Sequence, residues 1–302
     1  MSIARSPAPL FAVSTLIWGS TWLAIKYQLG RVAPEASVAY RFALAAVVLG
    51  AWCVARRLRL RYSARQHAFM AAQGALMFGL NYLCVYWAEQ HATSGLVAVL
   101  FSTIVFMNPI GARLAFGNPL AARTLLAAAL GVTGVALLFL PELMAAQAGG
   151  DVALGIAYGL GATVLACGGN LVAVRNQRSI PVLPGTAWGT LYGAGVAALV
   201  GSLVGAQWTF DPHPAYVLSL LYLSVFGTVI AFGSYLTLLQ LVGPARAAYT
   251  AVAIPVVALL LSTLFEAYRW TWVSALGVVL AIAANTIALR PGRAATRTSA
   301  AA

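Results

Sequence analysis

Runs of about 20 apolar residues alternate with short polar breaks along the whole chain. A helix rises about 1.5 Å per residue, so each run has the length that crosses a hydrocarbon core of about 30 Å. With charge, Pro and Gly taken as boundaries, the pattern predicts membrane helices over 8–27, 36–55, 67–88, 94–113, 121–140, 152–174, 185–205, 215–240, 246–265 and 271–290. The expected fold class is all-α and polytopic, with ten transmembrane helices joined by short loops.

Several runs are interrupted from within by uncharged polar and aromatic residues. The first carries Trp18, Ser20 and Thr21 near its middle, and the sixth reads Cys167-Gly168-Gly169-Asn170 at a related depth. Such groups are costly in lipid unless they face protein or a watered hollow, so they mark a candidate cavity wall. Packing is the competing account, because Gly, Ser and Thr are ordinary contact residues between membrane helices. Polar and aromatic residues in the third, fourth, eighth and ninth runs extend the set. The candidate substrate-binding residues are Trp18, Ser20, Asn81, Tyr82, Ser102, Asn170, Tyr235 and Tyr249. Tyr86 and Trp87 lie near the predicted outer boundary, where an aromatic belt would account for them. Aromatic faces with neutral hydrogen-bonding groups suit zwitterions with apolar side chains, since rings cover the substrate and polar groups hold its ends.

Composition excludes a water-soluble fold. With 62% hydrophobic and 8% charged residues and a mean hydropathy of +0.88, the chain has too few charges to cover a soluble surface. The net charge of +12 is spread over short loops and not gathered on one polar face, so a lipid bilayer and no nucleic acid is the expected partner. If the N-terminus is cytoplasmic, Arg5, Arg56, Arg57, Arg59, Arg61, Arg65, Arg113, Arg123, Arg175, Arg178, Arg246, Arg290, Arg293 and Arg297 fall inside. Lys26, Arg31 and Arg269 then fall in outer loops, and all six acids lie at or near the outer side. Both termini are therefore expected in the cytoplasm, with residues 291–302 a disordered basic tail. The N-terminal stretch reads as an uncleaved first helix, because its apolar run continues past any small-residue cleavage point. Cys53, Cys84 and Cys167 are odd in number and lack metal-ligand spacing.

The chain also repeats itself. An offset of 146 lays Pro109 on Pro255, Arg123 on Arg269, and the ALGV ending at Val132 on the ALGV ending at Val278. An offset of 150 pairs Gly19 with Gly169 and Pro34 with Pro184. Residues 1–145 and 146–290 thus form two five-helix repeats. Five is odd, so the second copy enters the membrane from the opposite side, which makes an inverted repeat around a central cavity.

These features resemble the ten-helix EamA-type members of the drug/metabolite transporter superfamily. The resemblance rests on WGSTW in the first helix, Arg41 in the second, Pro109 and LGVTGVALL in the fourth and fifth, and GPARAAYTAVAIPVVALLLSTLFEA in the ninth. Within that family the chain is most similar to the YddG-type amino-acid exporters. The resemblance implies efflux of aromatic and other neutral amino acids across a bacterial inner membrane by alternating access. The family often places Glu after helix 4 as well as after helix 9. Here Glu266 is present, but the first half reads FGNPL with Asn118.

No Asp or Glu lies at the centre of any span, so the usual signature of a proton relay is missing. That favours downhill movement, or coupling through groups nearer the surface. Arg41 is the most embedded charge, expected to snorkel outward or pair with a helix end, with substrate contact as the alternative. Pro109 and Pro255 each remove a backbone hydrogen bond and are candidate hinges, a static kink being the other reading. The stretches GIAYG, GTLYG and GSLVG fit close helix contact, which would support a homodimer or, more simply, packing within one chain. GAGVAA, residues 193–198, satisfies a dinucleotide glycine pattern but has no strand before it. Without a P-loop, HExxH or nucleophile elbow, no catalytic residue, metal or cofactor is expected. The reading that remains is a secondary transporter of small molecules: amino acids first, another metabolite or drug class second.

Overall fold

A computed structural model describes residues 6–30, 32–92, 97, 100–138, 140, 144, 152–265 and 270–289. Its helices are α1 (Pro7–Lys26), α2 (Pro34–Ala55), α4 (Ile104–Phe116), α5 (Ala122–Leu138), α6 (Val152–Asn176), α7 (Val182–Leu203), α9 (Thr250–Phe265) and α10 (Trp272–Leu289). Between them run the long α3 (Ala64–His91) and α8 (Pro214–Val242). A one-turn helix, Pro244–Ala247, precedes α9. No strand occurs among the described residues. By length and composition α2, α3, α6 and α8 can each cross a membrane. The proposed repeat boundary at residue 145, the tail 291–302 and the loop charges Arg31, Glu142, Asp151, Glu266 and Arg269 lie outside the described residues.

Local chemistry sets the helix ends. Pro7, Pro34 and Pro214 occupy the first turns of α1, α2 and α8, where proline's missing N–H removes no intrahelical bond. A capping box starts α3: Ser63 N–H donates to Gln66 Oε1 at 3.0 Å, and Gln66 N–H donates back to Ser63 Oγ at 3.3 Å. Gly117, at φ 73°, closes α4 in the left-handed conformation that a Cβ would penalise.

Neither α3 nor α8 is a plain α-helix. Each widens into a six-residue π turn, Ala75–Leu80 in α3 and Val225–Ile230 in α8. The two turns sit at the same offset of 150 that pairs Gly19 with Gly169. An apolar run reads alike in either geometry, so the hydrophobic pattern predicts only unbroken helices here.

The halves interlock. Helix α2 packs on α7 and α5 on α10, while α3 contacts α6 and α7 as α8 contacts α1 and α2. The α4–α6 contact is matched by α9–α1. Exchanging each helix with the one five places later carries these contacts onto one another. Small residues make the close approaches: a Cβ at Gly193 would press on Phe78 at 2.5 Å, and one at Gly134 would sit 2.8 Å from both Gly277 O and Ala281 N. Within GIAYG and GTLYG, Gly155 faces Ala92, Gly159 faces Leu100, and Gly189 and Gly193 face Phe78. In GSLVG, Gly201 faces Glu35 and Trp208, and Gly205 is open at φ +74°. These stripes serve contacts inside the chain.

Candidate functional site

Helices α1, α3, α6, α8 and α9, with the start of α4, surround a cavity, while α2, α5, α7 and α10 stand outside it. Its volume is about 110 Å³. That is several times the roughly 10–15 Å³ that admits a single water, so the hollow has room for a small polar guest. Among the described residues, no Asp, Glu, Lys, Arg or His lines it.

The aromatic wall is built from α1, α3 and α8. Trp18 meets Phe232 edge-on at 4.8 Å between ring centroids and lies 5.1 Å from Tyr235. Its Nε1 donates to the Gly227 carbonyl at 3.0 Å. That carbonyl belongs to the π turn of α8, where widening takes carbonyls out of the regular ladder and leaves them to side-chain donors. Tyr82 stacks edge-on against Phe42 at 4.9 Å and faces Phe232 at 6.2 Å.

The polar groups are amides. Asn81 donates through Nδ2 to Met77 O at 3.2 Å, and its buried Oδ1 has no hydrogen-bond partner among the described residues. Asn170 donates to Asn108 Oδ1 at 3.4 Å, and Asn108 donates to Pro244 O at 3.2 Å. This chain links α6 and α4 to the turn before α9 beneath the cavity wall.

The structure thus brings Trp18, Asn81, Tyr82, Asn170 and Tyr235 around one hollow. Three other candidates do not line it. Ser20 donates to Ile17 O at 2.7 Å and pairs with Tyr222 Oη at 2.6 Å. Tyr249 is buried and donates to Thr124 O at 2.8 Å. Ser102 is buried without reaching the lining. Pro255 is a wall residue, whereas Pro109 is buried inside α4. Sequence reasoning missed Met77, Phe101 and Phe232 as lining residues. The repeat held a signal for Phe232, which lies 150 positions after Tyr82.

Outside the cavity, Tyr86 is fully buried and donates to Gln28 Oε1 at 2.8 Å, and Trp87 donates to Glu35 Oε1 at 2.6 Å. Arg41 does not snorkel. It is wholly buried, and its Nε donates to Thr228 Oγ1 at 3.1 Å.

Comparison with known proteins places this architecture. The profile of the EamA-like transporter family matches residues 6–140 and again residues 153–290. The protein described as an uncharacterized inner membrane transporter, YedA, of Escherichia coli strain K12 is 28% identical over 262 residues, 84% of this chain and 80% of that one. Protein PagO of Salmonella typhimurium is 28% identical over 97 residues, covering 32% of this chain and 31% of its own. One solved crystal structure, 19% identical, superposes with a TM-score of 0.76 over 94% of this chain and 96% of its own, which shows a shared fold.

Proposed function

The chain belongs to the EamA-like transporter family, and on that premise we propose that it exports amino acids, aromatic and other neutral ones favoured, across the bacterial inner membrane. The observation that carries this reading is the cavity itself. Trp18, Tyr82, Phe232 and Tyr235 supply ring faces, Asn81 and Asn170 supply neutral polar contacts, and among the described residues no side-chain charge lines the wall. Such a lining complements an apolar side chain with hydrogen-bonding ends and offers no carboxylate to a cationic drug.

Transport proceeds by alternating access between two inverted five-helix repeats, with both termini cytoplasmic. The matched contacts and the paired π turns support the inversion, and the inner-membrane setting agrees with the description of YedA. Pro255, in the cavity wall, and Pro109, in the matching helix, are the hinges of this proposal. Each deletes one helix hydrogen bond and lowers the cost of bending there.

The test is flux in proteoliposomes. Radiolabelled L-phenylalanine should show saturable counterflow, competed by neutral amino acids and not by organic cations. Counterflow of a different metabolite class, with none of phenylalanine, would replace this reading with a carrier for that class.

A further inference from the structure

Arg41 has 0% of its surface exposed, and neither Nη1 nor Nη2 has a hydrogen-bond partner among the described residues. Nε donates to Thr228 Oγ1, and the phenols of Tyr82 and Tyr86 lie close enough to the guanidinium to interact with it. The guanidinium carbon lies 4.6 Å from the centroid of the Tyr82 ring and 5.3 Å from that of Phe42. An arginine cannot shed its proton to escape burial. A charge held in a low-dielectric interior is costly, and contact with two aromatic faces recovers only part of that cost. The repeat does not require a cation here, since the position 150 residues later is Leu191.

The charge sits one side chain behind the cavity. Tyr82, which carries the guanidinium on its ring, lines the hollow, as does Thr21. Gly227 lets these groups converge: a Cβ there would stand 3.1 Å from Thr21 Cγ2 and 3.2 Å from Arg41 Nη2. The residue beside Tyr82, Asn81, presents the buried Oδ1 that lacks a partner. Cationic donors thus stand behind Tyr82, and the lining residue that precedes it in the same helix carries a buried acceptor without a partner among the described residues. Together they complement a carboxylate and an ammonium on one small molecule.

We propose that Arg41 is the carboxylate receptor of this transport site. The ring of Tyr82 moves off the guanidinium, and the substrate carboxylate takes Nη1 and Nη2 in the paired geometry that guanidinium and carboxylate favour. Asn81 Oδ1 accepts from the ammonium. The proposal rests on the cavity being the transport site and narrows its substrates to small molecules with a free carboxylate.

The experiment is ligand titration of the full-length protein in nanodiscs, read by tryptophan fluorescence. Four probes share one phenyl ring: L-phenylalanine, 3-phenylpropanoate, L-phenylalaninamide and 2-phenylethylamine. The two carboxylates should bind at least tenfold more tightly than the amide and the amine. Arg41→Gln should abolish that preference, and Arg41→Lys should restore part of it. Equal binding of all four by the wild type, no saturable binding of either carboxylate, or an intact preference in Arg41→Gln each overturns the proposal. The wild-type ranking decides alone where a variant does not fold. Arg41-dependent binding of 3-phenylpropanoate without phenylalanine flux would sink the amino-acid export reading and leave the receptor standing. Phenylalanine flux that Arg41→Gln leaves untouched would do the reverse.

Discussion

In α8 the carbonyl of Gly227 takes its hydrogen bond from Trp18 Nε1 on α1, whereas in α3 the carbonyl of Met77, 150 positions earlier, takes its bond from Asn81 Nδ2 in the same helix. Both carbonyls belong to π turns, and both donors line the cavity. The α3 turn is satisfied locally. The α8 turn is satisfied only while α1 and α8 stay together, and it also supplies Thr228 to Arg41. A duplicated backbone device has thus been given two chemistries, one self-contained and one tied to a neighbouring helix and a buried charge. The α8 turn should therefore be the more fragile of the two and the more closely linked to ligand binding.

Substitutions can break that contrast, starting with the tie itself. Trp18→Ala removes the α1–α8 bond and the ring contacts with Phe232 and Tyr235. It should cost about 3–5 kcal/mol, as large aromatic truncations in packed cores do, measured by SDS titration from mixed micelles. It should also raise the KM for phenylalanine counterflow by tenfold or more. Thr228→Val keeps the shape but removes the acceptor of the Arg41 Nε bond, so a loss of about 2 kcal/mol is expected in the same titration. Asn81→Leu orphans the Met77 carbonyl, which a local bond now satisfies. It should lower stability by about 1 kcal/mol and raise KM, without loosening α1 from α8 in a disulfide cross-linking assay. Tyr249→Phe loses only the bond to Thr124 O, away from the cavity. The expected cost is about 0.5–1 kcal/mol, with a smaller change in KM than for Trp18→Ala. If Asn81→Leu proved more damaging than Trp18→Ala, the contrast between the turns would fail.

Much of this was legible in the sequence, because membrane helices must be long and apolar and their polar residues must face inward. Trp18, Asn81, Tyr82, Asn170 and Tyr235 stood out for that reason, and they meet. Ser20 shows where proximity in sequence misleads. Two residues turn a helix by about 200°, so Ser20 leaves the face of Trp18, whereas Thr21 and Ile25 return to it and line the cavity. Tyr249 stands in the turn before α9 between the lining residues Ala248 and Thr250, and its side chain leaves the cavity to donate to Thr124 O. The direction of Arg41 was not readable, since an arginine in a span can turn to either surface or to a partner, and the partner here lies 187 residues away. The π turns left no trace because hydrophobicity does not record hydrogen-bond register.

The contact of α5 with α10 carries a consequence of its own. Gly134 abuts the Gly277 carbonyl and the Ala281 nitrogen, and Ala127, Ala128, Ala281 and Ala284 fill the rest of that interior. Lipid tails are as apolar as the side chains they would replace, so nothing but close fit holds such a pair. A seam of this kind has almost nothing left to trim. It is vulnerable to gain and not to loss: a single extra methyl would wedge the two backbones apart, while shaving the leucines on its lipid side would pass nearly unnoticed.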